Sequence, residues 1–141
     1  MNAPDFKVKL NLRLDWSEMD LFGHINNVMY MKYIQASRVN YWESISLMKH
    51  FESGGIGPIL LSTSCLFKKP LHYPGNILVQ VRMEFIKNTS FGLHHQILNE
   101  ENEVCAEAKD IIVMYDFSRN EKVPVSGEMR DVIEKLEEKK F

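Results

Sequence analysis

Hydrophobic and polar residues alternate without interruption along residues 6–16. Because successive side chains of a β-strand point to opposite faces, this period of two predicts a strand with one buried and one solvent-exposed face. The polar positions carry lysine, asparagine, arginine and aspartate, as expected for the exposed face. The apolar positions that would face the core are Phe6, Val8, Leu10, Leu12, Leu14 and Trp16.

Residues 17–47 contain a polar turn followed by a long apolar segment without glycine or proline. Gly23 can adopt a turn conformation that other residues avoid, and Asn26 or Asn27 can cap the first free N–H groups of a helix. The segment therefore predicts a helix from about Asn27 to about Leu47. Its apolar residues are spread widely around the helical wheel, which predicts burial on most of its faces.

The rest of the chain predicts four more strands and one short helix. Residues 48–58 predict a loop, because three glycines and a proline interrupt any regular pattern. The run 111–115 is apolar on both faces, which predicts a strand that is central or covered on both sides. A short amphipathic helix begins at Ser126. The four strands are predicted at residues 59–69, 77–85, 91–98 and 104–117.

This order of elements predicts an α+β fold, with a mostly antiparallel five-stranded sheet around one long central helix and a short C-terminal helix. The length of 141 residues predicts one domain over residues 1–141. Shares of 45% hydrophobic and 26% charged residues are those of an ordinary globular chain and exclude disordered and collagen-like classes.

Charge and cysteine content narrow the classes of partner. The net charge is −2 and no basic cluster stands out, so we expect no nucleic-acid partner. Cys65 and Cys105 lie in predicted strands without metal or redox spacing, and we expect free thiols in a reducing compartment. The first residues have no apolar core typical of a signal peptide, and no segment approaches a membrane span. A soluble cytoplasmic protein is expected.

The turn before the long helix carries the candidate chemistry. Glu18 and Asp20 precede the helix start, where free N–H groups and the helix dipole favour negative charge. One interpretation is that both acids simply complement the dipole. The other is that Asp20 is a base or nucleophile beside an anion-stabilising helix end.

The motif Asp-x-Phe-Gly-His-Ile-Asn-Asn-Val-x-Tyr runs from Asp20 to Tyr30, and the following helix carries Ala36 and Arg38. This pattern resembles the signature of the 4-hydroxybenzoyl-CoA thioesterase family, which are acyl-CoA thioesterases with a hotdog fold. The resemblance extends over residues 6–118. It implies a sheet curled around the central helix, two protomers joined edge to edge as a homodimer or as a dimer of dimers (a homotetramer), and an acyl-CoA or acyl-carrier-protein thioester as substrate. No cofactor is expected.

The resemblance also implies roles for residues of the motif. Asp20 would be the catalytic residue, either as a nucleophile that forms a mixed anhydride or as a general base on water. The helix-opening amides from Asn26 to Val28 would supply part of the oxyanion donors. Asn27 and Tyr30 would orient the acid or the substrate, although Tyr30 fits a core position equally well.

The sequence leaves more than one role open for several further residues. Ser62 and Thr63 either line a polar floor under the thioester or satisfy each other across strands. Gly23 and His24 fit a structural turn, and His24 is the alternative base because histidine titrates near neutral pH. The five histidines are scattered, so no metal site is expected.

Three other functional classes remain as alternatives. A hotdog hydratase or dehydratase would need a differently spaced histidine motif that this sequence lacks. A protein that binds acyl-CoA or acyl carrier protein without hydrolysis would not need Asp20. A purely structural or interaction domain would leave the cleft beside residues 17–27 without a ligand.

Overall fold

The computed structural model describes residues 4–141, with the side chains of residues 50, 51 and 53 outside the description. A short 3-10 helix covers Trp16–Glu18. The other elements are β1 (Val8–Arg13), α1 (Asn27–Ser44), α2 (Leu47–Gly54), β2 (Ile56–Phe67), β3 (Asn76–Ile86), β4 (Ser90–Leu98), β5 (Val104–Asp116), β6 (Glu121–Lys122) and α3 (Gly127–Glu137).

The strands form one antiparallel sheet in the order β1-β3-β4-β5-β2. β1 and β2 are therefore the two edges of the sheet. β5 lies between β4 and β2, which confirms the prediction of a central strand. The two-residue strand β6, which the sequence pattern did not predict, pairs with the end of β5.

The inner face of the sheet packs against α1. Ile34 and Tyr41 of α1 are fully buried, and Trp42 contacts the ring of Phe91 on β4 with centroids 5.7 Å apart. Further buried side chains of α1 and the inner positions of β3, β4 and β5 complete two adjoining apolar clusters. The result is the helix-in-sheet arrangement that the resemblance implies.

The predicted end of the central helix and the predicted loop after it are both wrong. α1 ends at Ser44, and Ser46 has a positive φ of 54°, which turns the chain without a glycine or proline. A second helix, α2, then covers most of the predicted loop. Gly55, with φ of 67°, follows directly after α2 and adopts the left-handed conformation common at helix C-termini.

The start of β2 also differs from the prediction, because the strand begins at Ile56 and includes Gly57 and Pro58. Proline has no N–H to donate, yet it is tolerated on edge strands, where one side needs no partner. The edge position of β2 therefore explains why these residues do not interrupt it.

Two predictions of burial are corrected. The first strand ends at Arg13, and Trp16 lies 69% exposed on the 3-10 helix instead of facing the core. A capping box between Asp15 and Glu18 ends the strand pattern there. The central helix is not buried on most faces, since Val28 and Val39 are exposed and its buried residues share one side.

Candidate functional site

The Asp20 carboxylate closes the turn that precedes α1. Its Oδ1 accepts hydrogen bonds from the N–H groups of Phe22 at 2.8 Å and His24 at 3.1 Å. The Asp20 N–H donates to the His24 carbonyl at 2.7 Å, and Gly23, between them, has a φ of 81° that favours glycine. Asp20 itself is exposed. One carboxylate oxygen is thus fixed by the backbone on an open surface.

The start of α1 lies next to this turn, and Asn26 caps it. The Asn26 side chain accepts from the Val28 N–H at 3.0 Å, and the Asn26 N–H donates to the Glu18 carbonyl at 2.9 Å. Two of the three predicted oxyanion donors therefore already have partners. Within residues 4–141 the Asn27 N–H makes no hydrogen bond, so it is the donor that this helix end leaves available.

Glu18 anchors the turn to the helix, a role that the sequence reasoning missed. This buried carboxylate accepts from the Tyr33 hydroxyl at 2.7 Å and from the Asp15 N–H at 3.0 Å, and it pairs with Lys32 at 3.1 Å. Burial alone would raise its pKa, but these hydrogen bonds outweigh burial and hold the pKa below the ordinary value. The spacing Asp15-x-x-Glu18 was the available signal, because it is typical of a capping box.

Tyr30 joins α1 to the segment that follows β2. It is buried, its hydroxyl donates to the Lys69 carbonyl at 3.3 Å, and it accepts from the Leu71 N–H at 3.0 Å. Its ring meets Phe67 edge-on with centroids 5.1 Å apart. Both hydrogen-bonding functions of the hydroxyl are occupied by backbone, which fits the core interpretation of Tyr30.

The other side of the turn is held by the same segment. The Ile25 N–H donates to the Leu71 carbonyl at 2.8 Å, and His24 forms an isolated β-bridge with His72. The two imidazole rings lie 4.8 Å apart. These contacts join the backbone of His24 to the segment after β2, and the structural role of His24 stays a prediction.

A buried polar network lies beneath the middle of β2. Asp110 on β5 is 1% exposed and accepts from Arg38 Nε at 2.9 Å and Nη2 at 3.1 Å. Its carboxylate also contacts His95 Nε2 at 2.6 Å and accepts from the Thr63 hydroxyl at 2.8 Å. The second His95 ring nitrogen, Nδ1, lies 2.9 Å from the Ser37 hydroxyl. The network therefore connects Arg38 of α1, through Asp110 of β5, to Thr63 of the edge strand β2.

The electrostatics of this network follow from its partners. Burial by itself would raise the pKa of Asp110. The hydrogen bonds from His95 and Arg38 outweigh this effect and lower the pKa to about 2. Ser62 and Thr63 are both exposed, but the Thr63 hydroxyl donates to this carboxylate, whereas Ser62 lies next to a β-bulge of the edge strand. The sequence held a signal for the network: period two along β5 places Asp110 at a core-facing position.

Apolar side chains are exposed around the turn and along the edge strand. Leu21 is 99% and Phe22 is 83% exposed on the two positions after Asp20. The edge strand β2 exposes four large apolar residues, Leu60, Leu61, Leu66 and Phe67. Exposed apolar surface of this extent, together with an unpaired strand edge, is typical of a surface that a partner covers.

No cluster of three or more metal-ligating side chains occurs among residues 4–141. Cys65 and Cys105 are both free thiols, and Cys105 is buried. Among the same residues no helix has the length and apolar character needed to cross a membrane.

Comparison with known proteins gives one family match. The family model described as "Thioesterase-like superfamily" matches residues 14–133 of the chain. The chain is also 23% identical over 118 residues to YsmA, an uncharacterized protein of Bacillus subtilis (strain 168), covering 84% of this chain and 79% of that protein. The matched region includes the Asp20 turn, α1 and the whole sheet after β1.

Two solved structures illustrate the likeness in fold. A thioesterase from Thermus thermophilus, complexed with coenzyme A and Zn, is 20% identical with a TM-score of 0.85, covering 96% of this chain and 98% of that one. A 1,4-dihydroxy-2-naphthoyl-CoA thioesterase from Synechocystis is 16% identical with a TM-score of 0.78, covering 89% and 94%. Together with the sheet order, these matches confirm the predicted α+β hotdog fold.

Proposed function

Because the chain belongs to the thioesterase-like superfamily, we propose that it hydrolyses the thioester of an acyl-CoA or acyl carrier protein to the free acid and the thiol. The family that the motif predicted is confirmed by this match. The observation that carries the proposal for this chain is the Asp20 carboxylate, which backbone N–H groups orient at the helix start. The neighbours named thioesterases support the same enzyme class.

Asp20 is the proposed catalytic residue. Its Oδ1 is occupied by two N–H donors, whereas its Oδ2 makes no hydrogen bond within residues 4–141. The free oxygen is therefore available to act on the substrate by one of two routes. It attacks the thioester carbon to give a mixed anhydride that water then hydrolyses, or it takes a proton from the attacking water.

Negative charge develops on the carbonyl oxygen in both routes, and a free backbone N–H near the carboxylate stabilises it. The Asn27 N–H is available for this, and it lies at the positive end of the α1 dipole. Asn26 and Val28 then serve by holding the helix end in place, since their N–H groups are bonded within the chain. Asn27 becomes a substrate-binding residue through its main chain.

The substrate is proposed to lie between the Asp20 turn of one protomer and the edge strand β2 of its partner in a homodimer. The exposed apolar residues of the turn and of β2 support this arrangement, because edge-to-edge pairing would cover them. Ser62 faces the thioester in this arrangement. Thr63 and Tyr30 support the site from beneath through their bonds to Asp110 and to residues 69–71.

The free thiols of Cys65 and Cys105 support the predicted reducing compartment, so we place the enzyme in the cytoplasm. No nucleic-acid partner is part of the proposal, because the net charge of −2 provides no general attraction to phosphate backbones.

The test is release of free CoA from a panel of short, medium, long and aromatic acyl-CoAs, measured with a thiol reagent. We expect at least one substrate to be turned over with saturation kinetics. Acyl-CoA binding measured by calorimetry without CoA release from any substrate would instead show a binding protein and overturn the hydrolase proposal. Hydration of an enoyl-CoA without thiol release would assign the chain to the hydratase alternative.

A further inference from the structure

The N-terminal segment, residues 4–7, is held on the sheet by one buried side chain. Phe6 is 7% exposed, whereas the other three residues of the segment are exposed. Lys7 pairs with Asp5 and with Glu138, both at 2.7 Å, but the two acids are largely exposed, and such pairs contribute little. The contacts of the Phe6 ring therefore decide whether the segment stays on the sheet.

The Phe6 ring covers a histidine and an arginine of neighbouring strands. Its centroid lies 5.3 Å from that of the His94 ring on β4 and 5.8 Å from Arg82 Cζ on β3. A guanidinium this close to an aromatic ring makes a favourable cation–π contact. Arg82 follows Val81 and precedes Met83, which are both buried in the cluster that includes α1 side chains. Because side chains alternate along a strand, the Arg82–His94 pair lies on the face of the sheet opposite α1.

The hydrogen bonds of His94 fix its tautomer and its charge. Arg82 Nε donates to His94 Nδ1 at 3.0 Å, and arginine has no acceptor, so Nδ1 carries no proton. The ring proton is therefore on Nε2, which lies 3.1 Å from Glu107 Oε1 and donates to it. Burial lowers the pKa of His94 below its ordinary value, and the charges of Arg82 and Lys109 add to this effect, whereas Glu107 opposes it. His94 is thus held neutral.

The charged groups around the pair give Arg82 an alternative partner. Glu84, also on β3, lies 3.5 Å from Arg82 Nη2 and pairs with Lys109 of β5 at 2.6 Å. Glu107 is already paired with Lys68 of β2 at 2.7 Å. Glu84 is therefore the carboxylate to which Arg82 can turn when it leaves the histidine ring.

We propose that protonation of His94 releases residues 4–7 from the sheet. A proton on Nδ1 would face the Arg82 Nε–H, so that two donors and two positive charges would meet without an acceptor between them. Arg82 then turns to Glu84, and the Phe6 ring loses the cation and the neutral ring that it covers. The segment has no other buried side chain to hold it. The proposal does not depend on the hydrolase function.

The direction of the pH dependence follows from the two states of the segment. In the released state the His94 ring is solvated and has the ordinary histidine pKa of about 6.5, whereas in the bound state its pKa is lower. The ratio of released to bound segment is therefore constant above about pH 6.5 and rises by up to about tenfold for each pH unit below it. Mild acid, rather than base, is expected to free the segment.

The test follows the segment in the full chain by fluorine NMR, with para-fluorophenylalanine in place of Phe6, from about pH 8 to about pH 5. We expect the signal to move from the position of a buried ring to that of a solvated ring below about pH 6.5. His94→Gln keeps an acceptor for Arg82 and a donor for Glu107 but cannot titrate, so its signal should not move. His72→Gln, the same change at an exposed histidine, is the matched control and should behave as the wild type does.

A second measurement serves if circular dichroism shows that His94→Gln does not fold. In the wild-type chain, the imidazole NMR signals of His94 should titrate with the same midpoint as the fluorine signal. A fluorine signal that stays constant down to about pH 5 would overturn the proposal. A shift that persists in folded His94→Gln, or a midpoint different from that of the His94 ring, would overturn it as well.

Discussion

The buried ion pair between Arg38 and Asp110 allows a sharp prediction of stability. Arg38 contributes two hydrogen bonds to a carboxylate that is 1% exposed. Substitution Arg38→Met removes the positive charge but keeps an unbranched apolar side chain of similar length. The negative charge of Asp110 then remains buried, with His95 and Thr63 as its other partners.

The expected cost is large for a chain of this size. Two unit charges about 4 Å apart attract each other by about 4 kcal/mol at an effective dielectric constant of about 20. Removal of one partner of a buried ion pair costs about 3–5 kcal/mol in measured cases. Folded proteins are stable by about 5–15 kcal/mol, so Arg38→Met should remove a large part of the free energy of unfolding.

The assay is urea denaturation followed by tryptophan fluorescence, whose change should come mainly from Trp42, because Trp42 is buried against Phe91 whereas Trp16 is already 69% exposed. All variants are compared at one protein concentration, because association changes apparent stability. Lys68→Met is the matched control: Lys68 pairs with Glu107 at 2.7 Å, but this pair is partly exposed and should contribute about 0–1 kcal/mol. The double variant Arg38→Met/Asp110→Asn should lose less than Arg38→Met alone, because the uncompensated charge is gone. A loss for Arg38→Met no larger than that for Lys68→Met would refute the reasoning.

Two further predictions concern stability. Hydrogen bonds from His95 and Arg38 lower the pKa of Asp110 to about 2, although burial by itself would raise it. Hydrogen bonds from Lys68 and Gln96 likewise lower the pKa of Glu107 to about 2. The stability that both carboxylates contribute is therefore fully present above about pH 4.5 and is lost as the pH falls through about 2. Denaturation midpoints measured from pH 7 to pH 2 should fall less steeply for Asp110→Asn than for wild type, and equal slopes would contradict this. A Cβ at Gly92 would overlap the ring of Phe85 on the neighbouring strand, so Gly92→Ala should cost about 1–3 kcal/mol. Phe85→Leu in the Gly92→Ala chain should recover part of that loss, and no recovery would show that the ring is not the obstacle.

Periodicity predicted the sheet and the long helix because both follow from a hydrophobic pattern that local chain geometry enforces. The strands β3, β4 and β5 were predicted to within a residue or two. The break after α1 could not be predicted in this way. Ser46 adopts a left-handed conformation there, and serine, unlike glycine, does not mark such a position in the sequence. α2 was missed because Gly54 and Gly55 were interpreted as loop residues, whereas they mark the end of a helix.

In the candidate site, too, local features could be predicted from the sequence and long-range contacts could not. The turn and a cap at Asn26 or Asn27 were predicted from local chemistry, since turn and capping preferences depend on a few adjacent residues, and the structure has Asn26 as the cap. The contacts that hold the site depend on residues far apart in sequence. Arg38 meets Asp110, and Tyr30 meets residues 69–71, only after the sheet has formed. No spacing along the chain encodes these distances.

The turnover number of Asp20→Asn relative to wild type tests the central claim most directly. The asparagine oxygen can still accept from the Phe22 and His24 N–H groups, so the turn is preserved while the carboxylate is lost. Asp131→Asn on α3 is the matched control, and it should keep wild-type turnover. We predict that Asp20→Asn lowers the rate of CoA release by about 100-fold or more, with an unchanged molar mass. A folded Asp20→Asn enzyme with the turnover number of wild type would contradict the assignment of Asp20 as the catalytic residue.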